Sequence, residues 1–490
     1  MSSRDYDVII AGGGMAGLIT AASIGYHSQQ RARVLVLDRN PPAEAGKKTH
    51  NGWTCGDATS LNSLRFLEKN IGVRYESPEL EHPVKGVLVY SPDHETKVKF
   101  EGDGYILNRK LLPQRQVADA KRLGAEFEFG VAAERLTAEN GYVNGVTGRR
   151  ADGTPFKATA RVVVDATGSS SVLRKFLPIE SHIERELDPD DIEATGRYIL
   201  DFDQGEEDET YFTPDYCLIH LDQYLAPAGY AWVFPKGKNR VNIGLGVSKS
   251  GLSRRNKKFK RSDNLQSLID TYVKENPAIK NTRLSEGPGH DGNSKGNWQV
   301  PVRRQNDCMV ANGFAVVGDA AWLPRPLDAG GIGPSIYAGV ILGKVVARAL
   351  EAKDYGQESL WGYNVEYMTT HGYQMASFEV LRRYLQTLTN EQINYGMKHF
   401  LSEDDIRAIS ERRHPDFNRA QMVNPMLLLR ALSELELAKG LRYTAKKSQT
   451  LVQHNLGYPE TPAGFLAWRK TLLAEIGETI ERFKPIEVAD

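Results

Sequence analysis

At 490 residues the chain is long enough to bury a large core and to hold about two or three structural units. Its 62 lysines and arginines balance 62 aspartates and glutamates, so no strong net field draws it to nucleic acid. Three cysteines, Cys55, Cys217 and Cys308, exclude a disulfide framework and form no C-x-x-C metal pair, which fits a reducing cytoplasm.

The chain enters its first apolar run almost at once, leaving no room for a signal peptide. No apolar run reaches the ~18 residues of a membrane span. The most apolar helix candidate, Ile336 to Leu350, is interrupted by Lys344 and Arg348. A soluble or membrane-peripheral protein is expected.

Val8 to Ala11 has the character of a buried parallel strand. Gly12-Gly13-Gly14-Met15-Ala16-Gly17 follows, then a helical segment from Leu18 to about Tyr26. A second apolar run, Val34 to Leu37, ends at Asp38. This is G-x-G-x-x-G between strand and helix, with an acid about 20 residues on. Gly12 permits the turn, Gly14 lets backbone approach a pyrophosphate, and Gly17 lets helix and strand pack closely. Met15 and Ala16 open the helix, and Asp38, with Arg39 beside it, faces a ribose. An acid there disfavours a 2′-phosphate, so FAD or NAD is preferred over NADP.

Arg39 to Asp57 reads as a loop, and a helix is expected from Ala58 to Lys69. Residues 84–100 alternate around Ser91-Pro92-Asp93 as a β-hairpin does. Tyr105 to Arg109 lead into a helix ending near Leu123. Several strands are expected over 125–165, with turns at Asn140-Gly141 and Asp152-Gly153. Val162 to Asp165 is a strand running into Gly168. Residues 190–250 read mainly as strand, 262–275 as helix and 276–299 as a polar loop. Phe314 to Val317 is a third buried strand before Gly318-Asp319. Helix signals dominate from 355, with capping patterns at Ser402-x-x-Asp405 and Thr461-Pro462.

Three stretches together resemble the FAD-dependent fold of the p-hydroxybenzoate hydroxylase type. They are the glycine fingerprint, Val164-Asp165-Ala166-Thr167-Gly168, and Gly318-Asp319-Ala320-Ala321 with Pro326 and Gly330-Gly331-Ile332. The resemblance implies that Asp319 meets the ribitol and pyrophosphate of FAD. It implies that backbone N–H groups of Gly330, Gly331 and Ile332 face the flavin ring, where they stabilise negative charge without rearranging. Arg109 matches a cofactor-contacting arginine, and Ala133 the position whose backbone meets adenine.

Tyr230-Ala231-Trp232-Val233-Phe234-Pro235, then Gly244-Leu245-Gly246, resembles the Y-x-W-x-F-P…G-x-G signature of the geranylgeranyl reductases. Those flavoenzymes saturate isoprenoid double bonds, notably in archaeal membrane lipids. Cys55 falls where that family carries a cysteine near the flavin. The resemblance covers about residues 5–350. The family commonly has Cys-Gly-Gly where Cys55-Gly56-Asp57 stand, and glycine in place of Trp322. Gly333-Pro334 replaces larger residues.

The expected architecture is α/β: a Rossmann-like FAD-binding domain, an inserted antiparallel β-sheet substrate domain and a helical C-terminal region. The expected bounds are 1–80, 104–175 and 300–354 for the first, 81–103 and 176–299 for the second, and 355–490 for the third.

Tyr230, Trp232 and Phe234 share one strand face, either as sheet core or as an apolar wall for a polyprenyl chain. Pro235 and the glycines Gly244 and Gly246 at family spacing favour the wall, since glycines suit a strand that a ligand approaches. Cys55 is a small buried residue or a proton donor, with Asp57 and His50 near in sequence. The run Arg254-Arg255-Asn256-Lys257-Lys258-Phe259-Lys260-Arg261 is a solvated loop or a contact with an anionic membrane surface.

The resemblance implies an FAD-dependent reductase of geranylgeranyl or other isoprenoid lipid chains in membrane ether-lipid biosynthesis. A hydride from reduced flavin N5 and a proton from an active-site acid, expected to be Cys55 directly or through water, would saturate each bond. The alternatives are a flavin monooxygenase or halogenase of the same fold, or a prenyl-binding carrier without flavin. Known flavin halogenases show W-x-W-x-I-P, whereas Tyr230 and Phe234 stand here. With no second Rossmann fingerprint, an external electron donor is expected: NAD(P)H, a ferredoxin or a deazaflavin.

Overall fold

A computed structural model describes residues 5–41, 54–286, 294–400 and 435–484. His50 and Ser402-x-x-Asp405 lie outside the described residues. The chain opens with β1 (Tyr6–Ala11), α1 (Met15–His27), β2 (Val34–Asp38), β3 (Ala58–Ser60) and α2 (Leu61–Ile71). The hairpin β4–β5 (Leu80–Tyr90, Lys97–Leu107), α3 (Leu111–Arg122) and β6 (Ala125–Phe129) follow. Next come β7 (Val131–Glu139), β8 (Tyr142–Arg150), β9 (Pro155–Asp165) and the short α4 (Val172–Lys175). The inserted stretch holds β10 (Ile192–Gln204), β11 (Cys217–His220), β12 (Tyr230–Pro235) and β13 (Arg240–Ser248). It continues through α5 (Lys249–Phe259), α6 (Leu265–Glu275), β14 (Ile279–Leu284) and β15 (Lys295–Pro301). β16 (Val310–Ala311), β17 (Phe314–Val316) and α7 (Ile332–Ala352) return to the first sheet. The rest is helical: α8 (Gln357–Leu360), α9 (Gly362–Thr370), α10 (Met375–Leu385), α11 (Asn390–His399), α12 (Leu435–Leu456) and α13 (Phe465–Arg482).

Two sheets organise these elements. The first has the order β16-β17-β9-β1-β2-β6, with β7 and β8 branching from β9. Its central strands are parallel, and Val8 lies opposite both Val34 and Val162. The strands read as continuous apolar runs because both faces are covered. The helix α7 covers one of them, and its Val340 carbonyl accepts a hydrogen bond from Ser23 of α1 at 2.8 Å. Among the described residues α7 alone is long and apolar enough to cross a membrane. Since 83% of its apolar window is buried, it is a core helix, and Lys344 pairs with Glu366 of α9.

The second sheet has the order β14-β10-β13-β12-β11-β4-β5-β3, with β15 also on β10. Residues 80/81, 103/104 and 299/300 each fall inside a strand of it (β4, β5 and β15). The predicted helix from Ala58 starts at Leu61 instead. Ala58 pairs with Ile106 of β5, and the Ser60 hydroxyl caps the helix by accepting from Ser63 N–H. The loop expected over 276–299 contains β14 and β15, which pair one after the other along the edge of β10 away from β13. β14 is exposed at five of six residues, so it carries no apolar alternation for a sequence to show.

The helical region is fastened through buried ion pairs. Arg304 bonds Asp307 at 3.1 Å and Glu379 of α10 at 3.3 Å, and Arg382 bonds Asp191 at 2.5 Å. Arg469 of α13 reaches Glu184 at 3.3 Å.

Candidate active site

The glycine loop is held by atoms that leave no room for side chains. A Cβ on Gly12, whose φ is +111°, would fall 2.2 Å from Ala166 O, and one on Gly17 would fall 2.0 Å from Gly12 O. On Gly14 it would meet nothing within 4 Å. Open space therefore lies before the N-terminus of α1, where the N–H groups of Met15, Ala16 and Gly17 have no carbonyl one turn back. Asp38 Oδ2 accepts from Gly13 N–H and its Oδ1 from Asn40 N–H, both at 2.7 Å. The acid thus clamps the loop, and each carboxylate oxygen keeps a further lone pair. Arg39 beside it is exposed. Asn40 O accepts from Gly130 N–H at 3.2 Å, which brings the half-buried Ala133 on β7 to the same end of the sheet.

Asp165 ties the second motif together. It accepts from Thr167 N–H (3.0 Å), Thr167 Oγ1 (2.6 Å), Arg174 N–H (3.0 Å) and the Ser171 hydroxyl. Ala166 is thereby fixed against Gly12. The third motif closes on the first: a Cβ on Gly318 would lie 2.7 Å from Ala16 Cβ. One on Gly331 would lie 3.5 Å from Asp319 Oδ1, so the Gly330-Gly331-Ile332 turn sits beside the Gly-Asp turn. Gly331 caps α7 without a side-chain bond, leaving the Ile332 and Gly333 N–H groups without helical acceptors. Burial pushes the Asp319 carboxyl up to about 6, against the pull of the Arg109 charge. The same Arg109 charge acts on Cys55 and Arg197.

These groups fit FAD. Two helix N-termini and an arginine supply positive potential, and the space before Gly14 admits a phosphate.

The second sheet presents one face toward Cys55. Directly opposed residues share a face, which gives the rows Gly296–Arg197–Gly244–Trp232 and Trp298–Thr195–Gly246–Tyr230. A third row holds Val300, Glu193 and Ser248. The segment Thr54–Asp57 lies on this face. A Cβ on Gly296 would fall 2.3 Å from Thr54 Oγ1, and one on Gly56 would fall 2.9 Å from Phe234 Cε2. Tyr230, Trp232 and Phe234 do share the face, with successive ring centroids 6.1 Å apart. Trp232 and Phe234 are buried, and Gly56 packs on them. They seat the cysteine segment. Tyr230 instead bonds the Asp328 carbonyl at 2.5 Å, next to the Gly330 turn, while Pro235 lies opposite Val241.

The two strand glycines make room for the protein's own side chains. A Cβ on Gly244 would fall 2.6 Å from Trp232 Cζ2, and one on Gly246 would fall 3.3 Å from Glu193 Oε2.

Beneath Cys55 lies a polar network that sequence reasoning missed. Asn242 accepts from the Trp232 indole at 2.9 Å and donates to Cys55 O (2.8 Å) and Asp57 Oδ2 (2.9 Å). Lys236, fully buried, reaches Asp57 at 3.2 Å, Glu81 at 2.8 Å and Leu107 O at 2.8 Å. A lysine directly after Phe234-Pro235 in an apolar strand was the available signal. Asp57 has φ +69° and Trp322 φ +59°, which explains why glycine is common at both places in the family the sequence resembles. Trp322 is fully buried between the guanidinium groups of Arg174 (4.4 Å) and Arg303 (4.6 Å).

Burial raises the Cys55 thiol, with the Asp57 carboxylate adding to it and Arg109 and Arg197 opposing. A raised thiol stays protonated at neutral pH, which suits an acid better than a nucleophile. The basic run is helical over most of its length. Arg255 is buried and paired with Asp263, and Phe259 packs on Tyr224 with centroids 5.1 Å apart. Lys257, Lys258, Lys260 and Arg261 are exposed.

The fold and site define an FAD-binding oxidoreductase. Residues 5–193 match the FAD binding domain model, and residues 191–286 match the geranylgeranyl reductase catalytic domain model. A digeranylgeranylglycerophospholipid reductase of Sulfolobus acidocaldarius is 32% identical over 474 residues, covering 96% of this chain and 97% of the relative. One from Methanothrix thermoacetophila is 29% identical, covering 81% and 92%. The chain belongs to the geranylgeranyl reductase family. A geranylgeranyl bacteriochlorophyll reductase-like structure from Thermoplasma acidophilum superposes with a TM-score of 0.69 at 22% identity, covering 90% and 99%. The myxobacterial chondrochloren halogenase superposes at 0.61 and 17% identity, covering 77% and 82%, a likeness of fold alone.

Proposed function

We propose that the protein is an FAD-dependent reductase that saturates the double bonds of geranylgeranyl or related isoprenoid chains on a membrane lipid. The observation that carries this reading is the placing of Cys55, on a segment whose Gly56 packs on the Trp232–Phe234 face, within reach of the Arg109 charge that also acts on Asp319. Reduced FAD supplies a hydride when bound. The N-termini of α1 and α7, with Asp38, Asp319 and Arg109, hold and orient it. The buried sheet face excludes water, and Cys55 Sγ–H donates the proton to the second carbon. Anaerobic incubation of dithionite-reduced protein with a geranylgeranyl lipid, read by mass, tests this. Gain of hydrogen pairs is expected; mass gain that needs oxygen or halide supports the monooxygenase or halogenase reading instead.

The exposed cations at the C-terminal end of α5 support a peripheral contact with anionic lipid at the cytoplasmic face. Near such a surface each is worth about 1 kcal/mol. Replacing Lys257, Lys258 and Lys260 by glutamate is expected to release the protein from anionic vesicles in co-sedimentation. Unchanged binding rejects the contact.

A further inference from the structure

Each saturated bond consumes the proton of the half-buried Cys55 thiol, so the thiol must be restored before the next bond reacts. On the reductase reading, the question is which group on the same face restores it. Glu193 lies in the row next to Tyr230 and Gly246, and the missing side chain of Gly246 leaves space for its carboxyl. It is 5% exposed. Among the described residues its carboxyl accepts one hydrogen bond, a long one from Gln386 Nε2 at 3.5 Å. Among the described residues no cation pairs with it. The charge of Arg382 on α10 acts on it, but Asp191 takes Arg382 and the neighbouring Arg383 (2.5 and 2.7 Å), and Glu379 takes Arg383 as well at 2.9 Å. Ser248 of β13 and Val300 of β15 lie opposite it, and Tyr230 faces it from β12. The Tyr230 hydroxyl lies within electrostatic reach of both Glu193 and Cys55.

We infer that Glu193 is the proton reservoir of this face and restores the Cys55 thiol after each bond is saturated. When the Cys55 S–H breaks and the new C–H forms, a thiolate remains. The Tyr230 hydroxyl, within reach of both groups, passes its proton to the thiolate as the S–H reforms and takes one as the Glu193 O–H breaks, and the Glu193 carboxylate takes a proton from water on the side of the half-buried Gln386. The electrons come wholly from the reduced cofactor, so no further reductant enters this step. Burial holds the Glu193 carboxyl up to about 7, only partly offset by Arg382, so it carries a proton at neutral pH yet can lose it.

Glu193→Gln keeps shape and loses the titration. The first bond should be saturated at the wild-type rate in a single turnover, while the steady-state rate drops at least ~10-fold, the range of a lost acid. The fall in steady-state rate as pH rises through about 7 should vanish. A second readout needs no substrate. A carboxyl raised in the folded state stabilises less as pH rises from its unfolded value toward 7, so the wild type should lose Tm relative to the variant over that window. Equal slowing of the first and later turnovers makes Glu193 merely structural and overturns the inference. An unchanged steady state, or parallel Tm curves, overturns it as well. A wild type that saturates no bond at all sinks the reductase reading itself, a result distinct from these.

Discussion

Cys55→Ala is expected to cut turnover by about 10²- to 10⁴-fold while flavin content stays the same, because on the proposed reading the substitution removes a positioned acid and nothing that holds the cofactor. The segment that carries Cys55 is seated by Gly56 on Trp232 and Phe234 and by Thr54 against Gly296, contacts an alanine leaves intact. What disappears is an S–H in a site where burial keeps it protonated. An isolated alkene is weakly polarised, so the proton must be delivered in place as the hydride arrives. Turnover and flavin absorbance of the variant check this together. Near-normal turnover assigns the proton elsewhere; lost flavin makes the cysteine a packing residue.

Lys236→Met is expected to destabilise the protein by about 3–5 kcal/mol, the usual cost of stripping one partner from a buried pair. The lysine and Asp57 are both fully buried, and Glu81 is the third member. Without the cation two carboxylates face each other under the Cys55 segment, and Asn242 remains the donor that Asp57 keeps. Asp57 also holds a left-handed conformation that costs about 1–2 kcal/mol for a residue with a side chain. The ion pair is the larger effect, so this aspartate persists where a glycine would be unstrained. Denaturant unfolding measures the loss. Asp57→Gly in the same background should recover part of it, since it removes both the orphaned charge and the strain.

The cofactor half of the molecule was legible in the chain because its requirements are local. Gly17 and Asp38 answer to Gly12 and Gly13 within one βαβ unit, while Gly12 answers to Ala166 after β9, and the apolar runs at Val8, Val34 and Val162 carry their own burial pattern. The alternation of Tyr230, Trp232 and Phe234 likewise predicted a shared face. The polar network was not legible, because Asp57, Glu81, Lys236 and Asn242 are far apart in the chain and only the fold unites them. β14 and β15 were missed for the opposite reason: as edges on β10 they are largely polar and lack the alternation that marks a strand. The strand glycines were read as space for a ligand, whereas Trp232 and Glu193 fill the space they leave.

The most direct test is stoichiometry without oxygen. Protein with fully reduced flavin, free of excess reductant, is mixed with a geranylgeranyl lipid, and the return of oxidised-flavin absorbance is compared with hydrogen gained by the lipid. The account predicts one flavin reoxidised for each double bond saturated. Reoxidation with no saturated lipid, or a reduced flavin that the lipid leaves untouched, contradicts it.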